Sequence, residues 1–163
     1  MREIQHVGRL LRKMHHAIRL DMQKHNESLG LTSSQGFVLG YLTSRALTGD
    51  EPIYAKDVEH YFHVRHSSVS GVLQRLEVKD FITFARSETD HRCKTILLTP
   101  KAYEVHEMIL SHIRETEDRT FAGMSEAEQE TFLRLLRKAA ENLTGSSDDP
   151  PPFFAAAQTD PGI

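Results

Sequence analysis

Apolar residues recur at helical spacing along most of the chain, and glycines, prolines and polar clusters interrupt them. The first run, from Ile4 to Leu29, has the period of one amphipathic face and predicts a long helix that Gly30 ends. The sequence TSSQ at 32–35 is a capping box, in which a threonine oxygen and a glutamine side chain satisfy free backbone amides. It predicts the start of a second helix, which ends in a loop around 48–52.

The middle of the chain predicts two short helices followed by a β-hairpin. The helices span about Tyr54–Tyr61 and Arg65–Lys79, with a tight link between them. β-Branched and aromatic residues favour strands at Phe81–Ala85 and Cys93–Leu98, on either side of the polar stretch Arg86–Arg92. Helix, helix and hairpin in this order form a winged helix-turn-helix.

Two further helices follow the hairpin. Thr99 and Pro100 suit a helix start, and the helix they predict runs to about Phe121. A second capping box at 125–128 predicts a last helix that reaches about Leu143. The residues that follow are rich in Asp, Ser and Pro, which cannot continue a helix.

The fold class is therefore predicted to be mainly α, with a small β-hairpin wing beside the helix-turn-helix and a helical dimerisation region. The chain divides into four expected regions. These are N-terminal helices for dimerisation and support at 1–53, a winged helix-turn-helix DNA-binding region at 54–98, C-terminal dimerisation helices at 99–144 and a flexible tail at 145–163.

Composition narrows the function classes. The 163 residues contain no long apolar run and no signal-peptide core, so we expect no membrane partner. The single cysteine, Cys93, cannot form an internal disulfide, which favours a cytoplasmic location. Net charge is −3, but residues 54–98 carry seven Lys and Arg against six Asp and Glu. Positive charge for a nucleic acid must therefore be local.

The second helix of the predicted helix-turn-helix has two different faces. Val69, Leu73 and Leu76 cluster on one side, together with Val72, and must face a core. The other side carries serines and Gln74, small or amide side chains that fit a major groove. Gln can bond adenine at two atoms, Arg can bind guanine or phosphate, and Ser can donate to phosphates.

The hairpin supplies cations beside that helix. An arginine here can enter the narrow minor groove, and Asp90 could orient Arg92 through a charged hydrogen bond. The partner predicted from these features is double-stranded DNA. The candidate DNA-binding residues are Ser67, Ser68, Ser70, Gln74, Arg75, Arg86, Asp90, Arg92 and Lys94.

The stretch SSVSGVLQRLEVKDFI and the hairpin that follows it resemble the MarR family of bacterial transcription regulators. The pair Asp90 and Arg92, followed by Leu98-Thr99, is the most specific element. The resemblance implies a homodimer whose first and last two helices interlock, bound to a palindromic operator, usually as a repressor that a small organic effector relieves. It also implies that Arg92 reaches the minor groove and that Asp90 orients it.

One position departs from the family pattern. Gly71 stands where many members place an arginine. The bond that this arginine would make to DNA is therefore either missing here or supplied by Arg65, His66 or Arg75. The effector, the operator and the choice between repressor and activator are not identified by the sequence.

Other function classes have less support in the sequence. The chain has no phosphate-binding glycine loop, no Gly-x-Ser-x-Gly and no paired metal motif, so we expect no enzyme, catalytic residue or cofactor. Ten histidines raise a metal-responsive alternative, but His106 and His112 are six residues apart and point to different faces. Cys93 raises a redox alternative. A winged helix that binds only protein remains the other alternative.

Overall fold

The computed structural model describes residues 6–49, 51–86 and 94–146. Within these ranges the chain is mostly helical with a small antiparallel sheet, which confirms the predicted fold class. The elements in chain order are α1 (Val7–Ser28), α2 (Ser33–Thr48), β1 (Ile53–Tyr54), α3 (Ala55–Phe62), α4 (His66–Val78), β2 (Ile82–Arg86), β3 (Lys94–Leu98), α5 (Pro100–Thr120) and α6 (Glu126–Thr144).

The chain forms two compact units that divide between His112 and Ile113, within α5. The first contains α1 to α4, the sheet and the first half of α5. The second contains the end of α5 and α6, where the rings of Phe121 and Phe132 meet edge to face with centroids 6.1 Å apart. The four expected regions of the sequence analysis stay a prediction.

Both predicted capping boxes are confirmed. At the start of α2, the Gln35 amide donates to Thr32 Oγ1 and the Thr32 amide donates to Gln35 Oε1. At the start of α6, the Ser125 amide and hydroxyl donate to Glu128, and these bonds lower the pKa of its carboxyl group. Gly30 follows the end of α1 with φ 71, a left-handed conformation that glycine adopts without strain.

The sheet contains a strand that the sequence analysis missed. Its order is β1-β3-β2, with both pairs antiparallel, so the hairpin strand β3 lies in the centre. Ile53 of β1 pairs with Ile96, whose other neighbour is Phe84. A strand of two residues is too short to produce an alternating pattern, and its partner is distant in sequence.

The core of the first unit forms around α2. Leu39 and Leu42 of this helix are fully buried, as are Val58 of α3, Leu76 of α4 and Ile82 of β2. Each fully buried aliphatic side chain stabilises the folded state by about 1.5–3 kcal/mol. Because α2 is covered on most sides, its buried positions include polar Gln35 and Thr43, and the hydroxyl of Thr43 donates to the Leu39 carbonyl.

Two histidines join α1 to the first half of α5. The rings of His25 and His112 stack with centroids 4.1 Å and planes 2° apart, and His112 Nε2 lies 2.9 Å from an Asp21 carboxylate oxygen. His106, six residues earlier, is a core residue with 3% of its surface exposed. Burial lowers the pKa of His106, because a charged imidazolium loses its hydration there.

Helices α1 and α2 approach closely where Asn26 meets Gly36. A β-carbon at Gly36 would lie 2.6 Å from Asn26 Oδ1, well inside van der Waals contact. Asn26 is 1% exposed, so its amide has no solvent space into which it can move. The two helices can therefore approach this closely only because Gly36 has no side chain.

We predict that Gly36→Ala lowers the free energy of unfolding by about 1–3 kcal/mol, the range for overpacked cores. Denaturant unfolding measures the effect. Gly8→Ala is the matched control, because a side chain at Gly8 would meet no atom of the described residues within 4 Å. An unchanged unfolding midpoint for Gly36→Ala would contradict the close approach of the helices.

Candidate nucleic-acid interface

The turn between α3 and α4 is short because His63 adopts a left-handed conformation, with φ 50. Histidine tolerates this region better than most residues that carry a side chain. The Val64 amide donates to the Glu59 carbonyl and thereby closes the end of α3. The chain then becomes extended at Arg65, and α4 begins at His66. This is the helix-turn-helix that the sequence predicted.

Helix α4 buries one face and exposes the other. Val69, Leu73 and Leu76 are at most 2% exposed. The described residues that the sequence analysis assigned to DNA on this helix all lie on the exposed side. They are Ser67, Ser68, Ser70, Gln74 and Arg75. Their exposure is what contact with another molecule requires, and their contact with DNA stays a prediction.

Lys79 fixes the far end of α4 and was not singled out in the sequence. Its Nζ donates to the Gly30 carbonyl at 2.6 Å and to Gln35 Oε1 at 2.8 Å. Lys101 in turn donates to the Lys79 carbonyl at 2.8 Å. The end of α4 is thus bonded to the α1–α2 turn and to the start of α5. Only the fold brings these positions together, since Gly30 and Lys79 are far apart along the chain.

The base of the hairpin carries two of the predicted cations. Arg86 ends β2 and pairs in register with Lys94, which begins β3. Both are exposed, and Lys94 Nζ lies 5.9 Å from the centre of the Phe84 ring. The predicted tip residues Asp90 and Arg92, and Cys93 with its redox alternative, lie outside the described residues.

The position of Gly71 has room for a larger residue. A side chain there would meet no atom of the described residues within 4 Å. Arg65, His66 and Arg75, which could replace the missing arginine, are all exposed. The ring of His66, however, already contacts two other side chains. Its Nδ1 lies 2.6 Å from Glu59 Oε1, and its Nε2 lies 3.2 Å from Ser70 Oγ. The spacing of residues along the sequence could not show that His66 contacts Glu59 of α3.

Residues 29–92 match a model of the MarR family. The match runs from the end of α1 through the helix-turn-helix and into the hairpin. Over this region the chain is similar to the MarR family. The resemblance on which the sequence analysis relied is therefore confirmed.

Solved structures extend the comparison over most of this chain. A mutant of MepR from S. aureus, bound to an oligodeoxyribonucleotide, is 27% identical with a TM-score of 0.66 and covers 87% of this chain and 100% of its own. MepR, described as a transcription regulator of the Staphylococcus aureus multidrug efflux pump MepA, is 25% identical with a TM-score of 0.74 and covers 85% and 98%. The transcription regulator MarR from Oenococcus oeni PSU-1 shares the fold at 24% identity, with a TM-score of 0.58 and coverage of 83% and 98%.

The described part of the chain also bears on the membrane and metal-binding classes. None of its helices combines the length and apolar character needed to cross a membrane. Within the same residues, no three His, Cys, Asp or Glu side chains are grouped in a way that could hold a metal ion. The fold is that of MarR transcriptional regulators.

Proposed function

We propose that this protein is a homodimeric, sequence-specific DNA-binding regulator, acting as a repressor whose binding a small molecule modulates. The α4 helix of each protomer enters the major groove of a palindromic operator, and the hairpin reaches the adjacent minor groove. The observation that carries the proposal is the division of α4 into a buried apolar face and an exposed face of serine, glutamine and arginine. That a related MepR mutant is bound to an oligodeoxyribonucleotide supports it.

The chemistry of this exposed face favours DNA over a protein partner. Every apolar side chain of α4 except Val78 at its end is buried or half-buried, and the other exposed side chains are polar or charged. Protein interfaces are enriched in aromatic residues and Met at their centre, which this face lacks. Arg65, Arg75, Arg86 and Lys94 are exposed on α4 and the hairpin, so local cations are available for phosphates although net charge is −3.

Exposed apolar residues on the outer helices support a homodimer. On α1, Val7 is 63% exposed and Leu10 is 59% exposed. On α6, Leu135 is 51% exposed and Leu143 is 84% exposed. Burying such side chains against a second copy removes apolar surface from water, which stabilises association by about 25 cal/mol per Å². Symmetric homodimers are the commonest soluble assemblies.

We predict that the chain sediments as a dimer at micromolar concentration, because these apolar positions are covered by the second copy. Sedimentation equilibrium measures the mass directly. A double variant, Leu10→Glu with Leu135→Glu, is expected to shift the mass toward the monomer. A native chain with monomer mass over that range would contradict the dimer.

The hairpin and α4 are expected to contribute differently to DNA binding. Arg92→Ala removes a phosphate- or groove-binding charge, so affinity should fall by about 1–3 kcal/mol on all sequences and the salt dependence should become shallower by roughly one unit per charge. Asp90→Ala should produce a milder form of the same change. Gln74→Ala should leave the salt slope unchanged and weaken the preference at one symmetric pair of base positions.

Titration on a duplex selected from a random library, and on a scrambled duplex, at several salt concentrations separates these effects. If Arg92→Ala changed neither the affinity nor the salt slope, the hairpin would not lie in the groove. The protein-binding alternative would then replace the DNA-binding proposal.

The way in which α4 is held supports modulation by a small molecule. Its end is bonded to the α1–α2 turn through Lys79, so a ligand that moves this turn changes the separation of the two α4 helices in a dimer. We predict that an aromatic or phenolic ligand weakens binding to the selected duplex, measured by fluorescence anisotropy. A broad panel of aromatic compounds, metals and oxidants without effect on affinity would contradict a sensing role.

A further inference from the structure

A chain of hydrogen bonds runs from α3 to the exposed face of α4. It begins at the Glu59 carboxylate, 2.6 Å from His66 Nδ1, and continues from His66 Nε2 to Ser70 Oγ at 3.2 Å. The Glu59 side chain is 26% exposed, whereas the His66 side chain is 75% exposed. Both His66 and Ser70 lie on the outer surface of α4, four residues apart and therefore one above the other.

The carboxylate determines which nitrogen of His66 carries hydrogen. An ionised carboxylate only accepts hydrogen bonds, so Nδ1 must be the protonated nitrogen. In the neutral imidazole Nε2 is then an acceptor, and the Ser70 hydroxyl donates to it. The lone pairs of Ser70 Oγ remain free, so toward another molecule the side chain can only accept.

Protonation of His66 reverses this arrangement. Both ring nitrogens of an imidazolium donate, so Nε2–H donates to Ser70 Oγ. The Ser70 hydroxyl hydrogen is released and can donate outward. Histidine is the side chain that ordinarily changes charge near neutral pH.

We propose that His66 is a positioning residue that determines whether the Ser70 hydroxyl donates or accepts a hydrogen bond toward DNA. It thereby determines which base α4 prefers at one position of each half-site. The proposal rests on the DNA-binding function above. With His66 neutral, Ser70 accepts from the amino group of adenine or cytosine. With His66 protonated, Ser70 donates to the carbonyl oxygen of guanine or thymine. Residues near the start of a recognition helix face base edges, which is where Ser70 lies.

The same order of groups, carboxylate, histidine and serine, occurs in serine hydrolases. Ser70, however, lies on an open helix face. A side chain at the neighbouring Gly71 would meet no atom of the described residues within 4 Å. The hydroxyl is therefore accessible to a large partner such as duplex DNA. None of the described residues around it would enclose a small substrate.

Glu59 is the ionisable group that faces His66 from α3. The other elements packed against α4 contribute single charged residues: Arg45 on α2, which lies 3.7 Å from Glu51, and Arg86 at the end of β2. The further charged or titratable residues on and beside these helices are Tyr41, Lys56, Asp57, His60, Tyr61, His63, Arg65, Arg75, Glu77, Lys79 and Asp80. Of these, Asp57 accepts from the Tyr54 amide and Lys79 is bonded to the α1–α2 turn.

The test compares base preference at two pH values for the full-length dimer. A duplex library with every base pair at each half-site position is titrated at about pH 6 and about pH 8, which bracket the ordinary histidine range. We expect the preference at one symmetric pair of positions to move from an amino-bearing base at high pH to a carbonyl-bearing base at low pH. The shift should be roughly threefold to tenfold, the effect of a single hydrogen bond.

Variants separate the proposed relay from a general effect of pH. Ser70→Ala should remove the pH dependence at that position. His66→Lys, which can only donate, should show the low-pH preference at both values. His60→Gln is the matched control, because His60 is an exposed histidine next to Glu59 in the chain, and its ring centre lies 6.1 Å from that of His63. It should retain the native pH dependence.

Several results would overturn the proposal while leaving DNA binding intact. These are a base preference that is equal at both pH values, a pH effect that is the same on every sequence, or a loss of the effect in His60→Gln. A chain that binds no duplex at either pH would instead overturn the proposed function on which the relay rests.

Discussion

The burial of Val69, Leu73 and Leu76 determines how α4 is presented. These side chains are at most 2% exposed, and their transfer from water stabilises the unit by about 1.5–3 kcal/mol each. Because a helix is a rigid cylinder, anchoring one face fixes the direction of the other. The exposed serines and Gln74 therefore do not depend on their own contacts for position, and they remain available to a partner.

The anchored helix is further bonded at each end. Near its start, Glu59 of α3 binds His66, and at its end Lys79 binds the α1–α2 turn. The apolar face fixes the depth of α4, whereas these polar contacts fix its ends. A change in the α1–α2 turn would thus alter the position of the exposed face. A change in the charge of His66 would instead alter whether Ser70 donates or accepts a hydrogen bond.

Most of the helices, both capping boxes and the two faces of α4 could be predicted, because periodicity and caps are local properties of the sequence. The strand β1 could not, since two residues have no period and its pairing partner Ile96 is distant in sequence. The bonds of Lys79 and Glu59 were missed for the same reason. Charged residues on a helix are usually solvated, and only the tertiary fold shows which of them reach a partner.

The proposed function requires that the two α4 helices of a dimer occupy successive major grooves of one duplex. Methylation interference distinguishes this arrangement from others, because guanine N7 lies in the major groove and adenine N3 in the minor groove. On the duplex selected by the native chain, we predict two clusters of guanine interference about one helical turn apart, roughly 10 base pairs. Interference confined to adenine N3, or a single cluster of guanine interference, would contradict this arrangement.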